Sequence, residues 1–130
     1  MKRIFWIIFS ILITLVLISS CEKHVFDYRN KYVRDWRFTV TVNKFHVDSI
    51  TQNSTEVFVY DGRIEYAALD DQIIIYYLPD YSRTLYVNKK GDICTEWKKM
   101  GEMDRKNFSF SEDWGGLGSH IYHDVTGVAL

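Results

Sequence analysis

His120 and His123, with Asp124 beside them and His46 elsewhere, are the densest group of metal-ligating residue types in this sequence. A zinc site needs its ligands to converge, and side chains three apart on a strand point to opposite faces. The flanking residues read as strand, so the two rings are expected to split across a sheet and hold no metal. Glu112 and Asp113, ahead of Trp114 and a glycine-rich turn, are an adjacent carboxylate pair that could serve as general acid and base. Neighbours on a strand diverge, however, and carboxylates beside a turn are expected in solvent. Gly115-Gly116-Leu117-Gly118 would cradle a phosphate only at a helix N-terminus, and no helix is expected there. The run is read as a hairpin connection that uses the freedom of glycine at positive φ. Cys94 lacks a Cys-x-x-Cys partner or a positive cluster to lower its pKa, and is expected to be a buried or half-buried strand residue. No serine sits in a Gly-x-Ser-x-Gly elbow. Neither catalysis nor a cofactor is expected.

The compositional outlier is the aromatic content, 16% of the chain. Tyr60, Tyr66, Tyr76, Tyr86 and Tyr122 fall on or beside expected strands and form the candidate binding face. Ring faces of this kind take apolar ligands, glycans or proteins.

These residues need a sheet to carry them. Trp36, Phe38, Val40 and Val42 alternate with Arg37, Thr39, Thr41 and Asn43, which predicts a strand with one face in the core. Glu56 to Ala67 is expected as one long strand bulged at Asp61-Gly62 and paired with the first. Gln72 to Leu78 is apolar on both faces, which implies cover on each side. Arg83 to Asn88, Asp92 to Trp97, Lys106 to Glu112 and Gly118 to Val128 complete the strands, with Lys98 to Arg105 as a charged loop. Val25, Tyr28 and Tyr32 predict a short amphipathic helix within Glu22 to Asp35. The expected fold is all-β, an antiparallel meander of about 7–8 strands closed as a barrel or flattened sandwich, with that short helix ahead of it. Closure would remove exposed edges.

Location is set by Met1 to Cys21. Lys2 and Arg3 precede an apolar core from Ile4 to Ile18, and small Ser19 and Ser20 precede Cys21. The pattern resembles a bacterial lipobox. That resemblance implies a cleaved signal peptide over 1–20, acyl chains on Cys21, a tether and helix over 21–35 and a single β domain over 36–130. Two or more chains, at about 0.8 kcal/mol per buried methylene, make a stable membrane anchor. Glu22 rather than aspartate follows the cysteine, so the outer membrane is expected, with the domain facing periplasm or cell surface. The mature part would hold 110 residues. Without Lys2 and Arg3 it carries 14 basic and 17 acidic residues, a net charge of −3, which argues against nucleic acid.

Tyr32-Val-Arg-Asp-Trp36-Arg-Phe38, Tyr60-Asp-Gly62-Arg-Ile64, Ile73-Ile-Ile75 and Gly115-Gly-Leu-Gly118 together resemble small Bacteroidetes lipoproteins of unknown function, and the first is similar to the opening motif of lipocalin-like domains. Asp48-Ser49-Ile50 resembles the short site at which such bacteria O-glycosylate exported proteins, with Ser49 as acceptor. These resemblances imply a non-catalytic envelope module that binds a protein or glycan. The alternative is a lipocalin-like carrier of a small apolar ligand. An inhibitor that probes a hydrolase with the Lys98 to Arg105 loop is a third reading.

Overall fold

The computed structural model describes residues 26–130; the expected signal segment, Cys21 and the first part of the expected helix lie outside the described residues. Eight strands run in chain order: β1 Asp35–His46, β2 Ser54–Tyr66, β3 Gln72–Leu78, β4 Tyr81–Val87, β5 Asp92–Cys94, β6 Lys99–Met103, β7 Asn107–Gly116 and β8 Ser119–Ala129. Each pairs with the next antiparallel, and β8 pairs with β1 to close a barrel. Of the expected helix, the described residues hold one 3-10 turn, Tyr28–Lys31.

Period two decides what fills the interior. Trp36, Phe38, Val40 and Val42 from β1 point inward, as do Ile73, Ile75 and Tyr77 from β3, Leu85 and Val87 from β4, and Phe108 and Phe110 from β7. Burying each such side chain contributes roughly 1.5–3 kcal/mol before conformational entropy is set against it. The rings form a continuous column: Phe38 meets Phe108 at 5.5 Å, Phe108 meets Phe110 at 5.4 Å, and Phe110 meets Tyr77 at 5.5 Å between centroids. This column occupies the space in which a wider barrel would hold a ligand.

One end of the barrel is plugged. Tyr28 donates from its hydroxyl to the Val87 carbonyl at 2.6 Å, and the Trp36 indole donates to the Tyr32 carbonyl at 2.9 Å. Arg29, buried in the 3-10 turn, donates to the carbonyls of Leu69 and Gln72 at 2.7 Å each and pairs with Asp27. The plug therefore lies where β1 and β3 begin and β2 and β4 end.

The opposite end is flared because the strands differ in length. β1 pairs with β2 from Asp35 to Lys44 and with β8 from Trp36 to His46, while β2 pairs with β3 only from Arg63 to Tyr66. The β6 ladder on β7 likewise spans only Gly101 to Met103. Four strands, in the order β2-β1-β8-β7, thus project beyond the rest.

Several boundaries differ from expectation. β2 is one long strand, but its ladder with β1 is regular through Asp61 and Gly62, with no bulge. A Cβ on Gly62 would meet the Tyr76 carbonyl, so close backbone approach explains this glycine. The expected strand Asp92 to Trp97 stops at Cys94, and the expected charged loop Lys98 to Arg105 is largely β6. Met103 there points into the core opposite Phe108. Gly115 to Gly118 does form the β7–β8 hairpin: Leu117 and Gly118 make the turn, and of the run's three glycines it is Gly115 that takes positive φ, +158°.

Candidate functional site

The inward parity of β7 runs Phe108, Phe110, Glu112 and Trp114, so Glu112 enters the barrel and Asp113 faces out. Glu112 is 3% exposed. Its position is made tolerable by two partners: the Tyr77 hydroxyl donates to Oε1 at 2.6 Å, and Arg83 Nε lies 3.0 Å from Oε2. A buried carboxylate without such partners would lose far more in desolvation than it gains.

His123 stands opposite Glu112 on β8, 3.3 Å from the Tyr77 hydroxyl through Nδ1. The Tyr77 proton goes to Glu112, which leaves the phenol oxygen to accept from the imidazole. The network therefore assigns the proton to Nδ1. Burial and then the bond to Glu112 push the Tyr77 hydroxyl far above the ordinary tyrosine range. Burial lowers the His123 pKa, against the opposing pull of the Glu112 carboxylate, and Lys44 adds to the lowering. Both groups are held neutral at pH 7.

Above this polar knot sits an aromatic rim. Trp114 packs on His123 at 4.4 Å and stacks on Tyr81 at 6.2 Å with 12° between the planes. Tyr81 also meets Tyr77 edge-on at 5.3 Å. Because β7 outruns β6, a notch of about 290 Å³ opens beside the rim, and Arg83, Lys98, Glu112 and Asp113 bring charge to its walls. Lys98 lies 3.4 Å from Asp113. The inner groups are saturated by one another, whereas Trp114, Tyr81, Lys98 and the outer side of Arg83 are open to a ligand.

The five tyrosines expected on one face fall at four places on the barrel. Tyr60 and Tyr76 share a groove of about 360 Å³ with Asp61, Gly62, Arg63 and Pro79, where β3 leaves β2. The Tyr66 hydroxyl donates to Asn30, and the Arg29 guanidinium lies over its ring at 5.1 Å. Tyr86 points outward on β4, opposite Cys94, which is half-buried. Tyr122 lies on the outer face of β8 against Phe45, with His120 stacked on it at 5.5 Å. His120 and His123 accordingly fall on opposite faces, and no cluster of three or more metal-ligating types occurs among the described residues. Ser49 lies in the β1–β2 connection with its hydroxyl 2.9 Å from that of Thr51.

The sequence places Glu112 in solvent, where the structure buries it, and gives no sign that Tyr77, Tyr81 and Trp114 gather around it. The signal for its burial was present, since Glu112 continues the inward parity of Phe108 and Phe110. Compared with protein-family models, curated proteins and solved structures, the chain finds no match.

Proposed function

We propose that this chain is a lipid-anchored envelope module that binds a glycan, without catalysis, at the rim of the flared end. One observation carries the reading: the Trp114–Tyr81 stack lies beside the Arg83–Glu112 pair, at the open end of a barrel otherwise filled and plugged. A sugar presents apolar C–H faces and hydroxyl edges together. Aromatic rings match the first, and fixed charges with donors and acceptors match the second. The rim offers both within one notch.

Orientation supports the same reading. The described chain begins at the plugged end, and only residues 22–25 separate Phe26 from Cys21. Acyl chains on Cys21 would hold the plug toward the outer membrane and turn the rim away from it. An apolar-ligand carrier, the alternative, would have to use the same notch, because the column from Trp36 to Tyr77 fills the interior. The Bacteroidetes resemblance and the O-glycan at Ser49 remain part of this proposal.

Native mass spectrometry of the purified chain, mixed first with envelope oligosaccharides and then with envelope lipid extract, tests it. A sugar adduct that Trp114→Ala removes supports the glycan reading. A lipid adduct in its place transfers the site to the carrier, and neither adduct sends the search to a protein partner.

A further inference from the structure

The flare leaves one long strand edge without a neighbour. From Ser54 to Gly62, β2 is paired with β1 on one side, and among the described residues no strand pairs with its other side. Val57, Phe58 and Val59 in this stretch are 61%, 43% and 67% exposed. Edges are ordinarily protected by lysine, proline, a bulge or a cover, because their free N–H and C=O groups recruit another strand. The β7 edge on the far side of the flare is short and carries the Lys98–Asp113 pair. On the β2 edge charge is confined to Glu56 and Asp61, each paired with β1, and Val57 to Tyr60 between them carries none.

Hydrogen-bond parity identifies which groups face out. Ile64 donates to the Arg34 carbonyl, directly opposite it, so even-numbered residues of β2 bond toward β1. Ala67 donates to the Gln72 carbonyl on the β3 side, which gives the odd-numbered residues the opposite direction. Thr55, Val57, Val59 and Asp61 therefore aim their backbone groups at the free edge.

We propose that this edge pairs antiparallel with the same edge of a second copy, about a two-fold axis at Phe58. In that register Val57 meets Val59 of its mate and Thr55 meets Asp61, so all four outward-facing residues join the ladder. Phe58 meets Phe58, and Glu56 meets Tyr60. No like charges are opposed. The edge's two acids are neutralised within each chain, Glu56 by Lys44 at 3.3 Å and Asp61 by Arg37 at 2.7 Å. Shifting the axis to Val59 places Asp61 against Val57, and shifting it to Val57 carries the ladder past Ser54 into the connecting loop. The groove lined by Tyr60, Asp61, Gly62 and Tyr76 leaves room where the end of the second strand arrives. Isologous two-fold contacts of this kind are the commonest form of self-association.

The test uses the full chain in detergent, with Cys94→Ser as background. Mass photometry should give a dimer. Phe58→Cys, oxidised with copper phenanthroline, should yield a disulfide mapped by peptide mass spectrometry to 58–58, since facing residues without mutual hydrogen bonds lie about 4.5 Å apart at Cα. Thr55→Cys should link at least tenfold less, because each copy lies six residues, about 20 Å, from its equivalent. Val59→Pro removes only an outward N–H, and Val57→Lys adds an edge charge. Each should weaken the dimer at least tenfold while the denaturation midpoint of the monomer is kept. A monomeric parent chain, equal linkage at 55 and 58, or a dimer indifferent to both edge variants overturns the proposal. So does a monomer carrying a foreign peptide that Val57→Lys releases.

Discussion

Tyr77 and Glu112, 35 positions apart in the chain, meet inside the barrel through a 2.6 Å hydrogen bond in which the phenol donates to the carboxylate. The bond ties β3 to β7 across the interior, where no backbone ladder joins them. Tyr77→Phe removes the donor and leaves Glu112 with Arg83, which is itself half-exposed. Leaving a buried acceptor short of a partner costs about 1–3 kcal/mol, and more when the acceptor is charged. Urea denaturation should show a lower midpoint with an unchanged slope. Glu112→Gln, which can still accept from Tyr77, should cost less than Glu112→Ala.

The same knot sets the pH response. Burial lowers the His123 pKa in the folded chain below its unfolded value of about 6.5. The unfolded chain then binds the extra proton first as pH falls, so this contribution to stability is complete above about pH 6.5 and is lost below it. The groups around the ring are Glu112, Tyr77, Trp114, Tyr81 and Lys44. Asp61, Asp92 and Asp104, held low by Arg37, by Lys99 and by the backbone amides of Lys106 and Asn107 respectively, act only at more acid pH. Midpoints measured from pH 7.5 to 5 should fall for the parent chain, and His123→Phe should flatten the slope. At the alkaline end, the raised Tyr77 pKa predicts a second loss of stability beginning near pH 10, the unfolded tyrosine value, and Tyr77→Phe should reduce it to the part left by Tyr28 and Tyr66, which burial also raises.

At the plugged end, Arg29 joins the 3-10 turn to the β2–β3 connection through the Leu69 and Gln72 carbonyls. It is 1% exposed and bonded to Asp27. Removing one partner from a buried pair costs about 3–5 kcal/mol. Arg29→Ala should therefore lower the midpoint more than Tyr28→Phe, which removes a single neutral hydrogen bond worth about 1 kcal/mol. Hydrogen exchange should accelerate first at the amides of Ala67 and Gln72, which bond in that connection.

How much of this was legible depended on whether a residue obeyed period two. Trp36 to Val42 declared the first strand and its inner face, and Ile73 to Tyr77 declared a strand apolar on both sides. Glu112 was equally determined by Phe108 and Phe110, but its charge and the nearby glycines argued for solvent. Only the partners Tyr77 and Arg83, distant in sequence, reverse that expectation. Lys98 to Arg105 misled for the same reason, because its charges are all outside while Met103 holds the strand in place. The flare could not be read at all, since it depends on ladder lengths and not on residue type.

Trp114 gives the most direct handle on the rim. Its ring touches His123 and Tyr81 but remains 37% exposed, whereas Trp97 is 89% exposed in the β5–β6 turn. A ligand seated on the rim must quench or shift the emission of Trp114 and leave Trp97 unchanged. Titrating Trp97→Phe protein with an oligosaccharide that binds should keep the full fluorescence response, and Trp114→Phe protein should lose it together with at least tenfold in affinity. Arg83→Lys should weaken binding less than Arg83→Ala, since lysine retains the charge facing Glu112 but not the planar fork of donors. If the response follows Trp97 instead, the ligand sits on the β5–β6 turn, and the stack of Trp114 on Tyr81 is only the lid of the core.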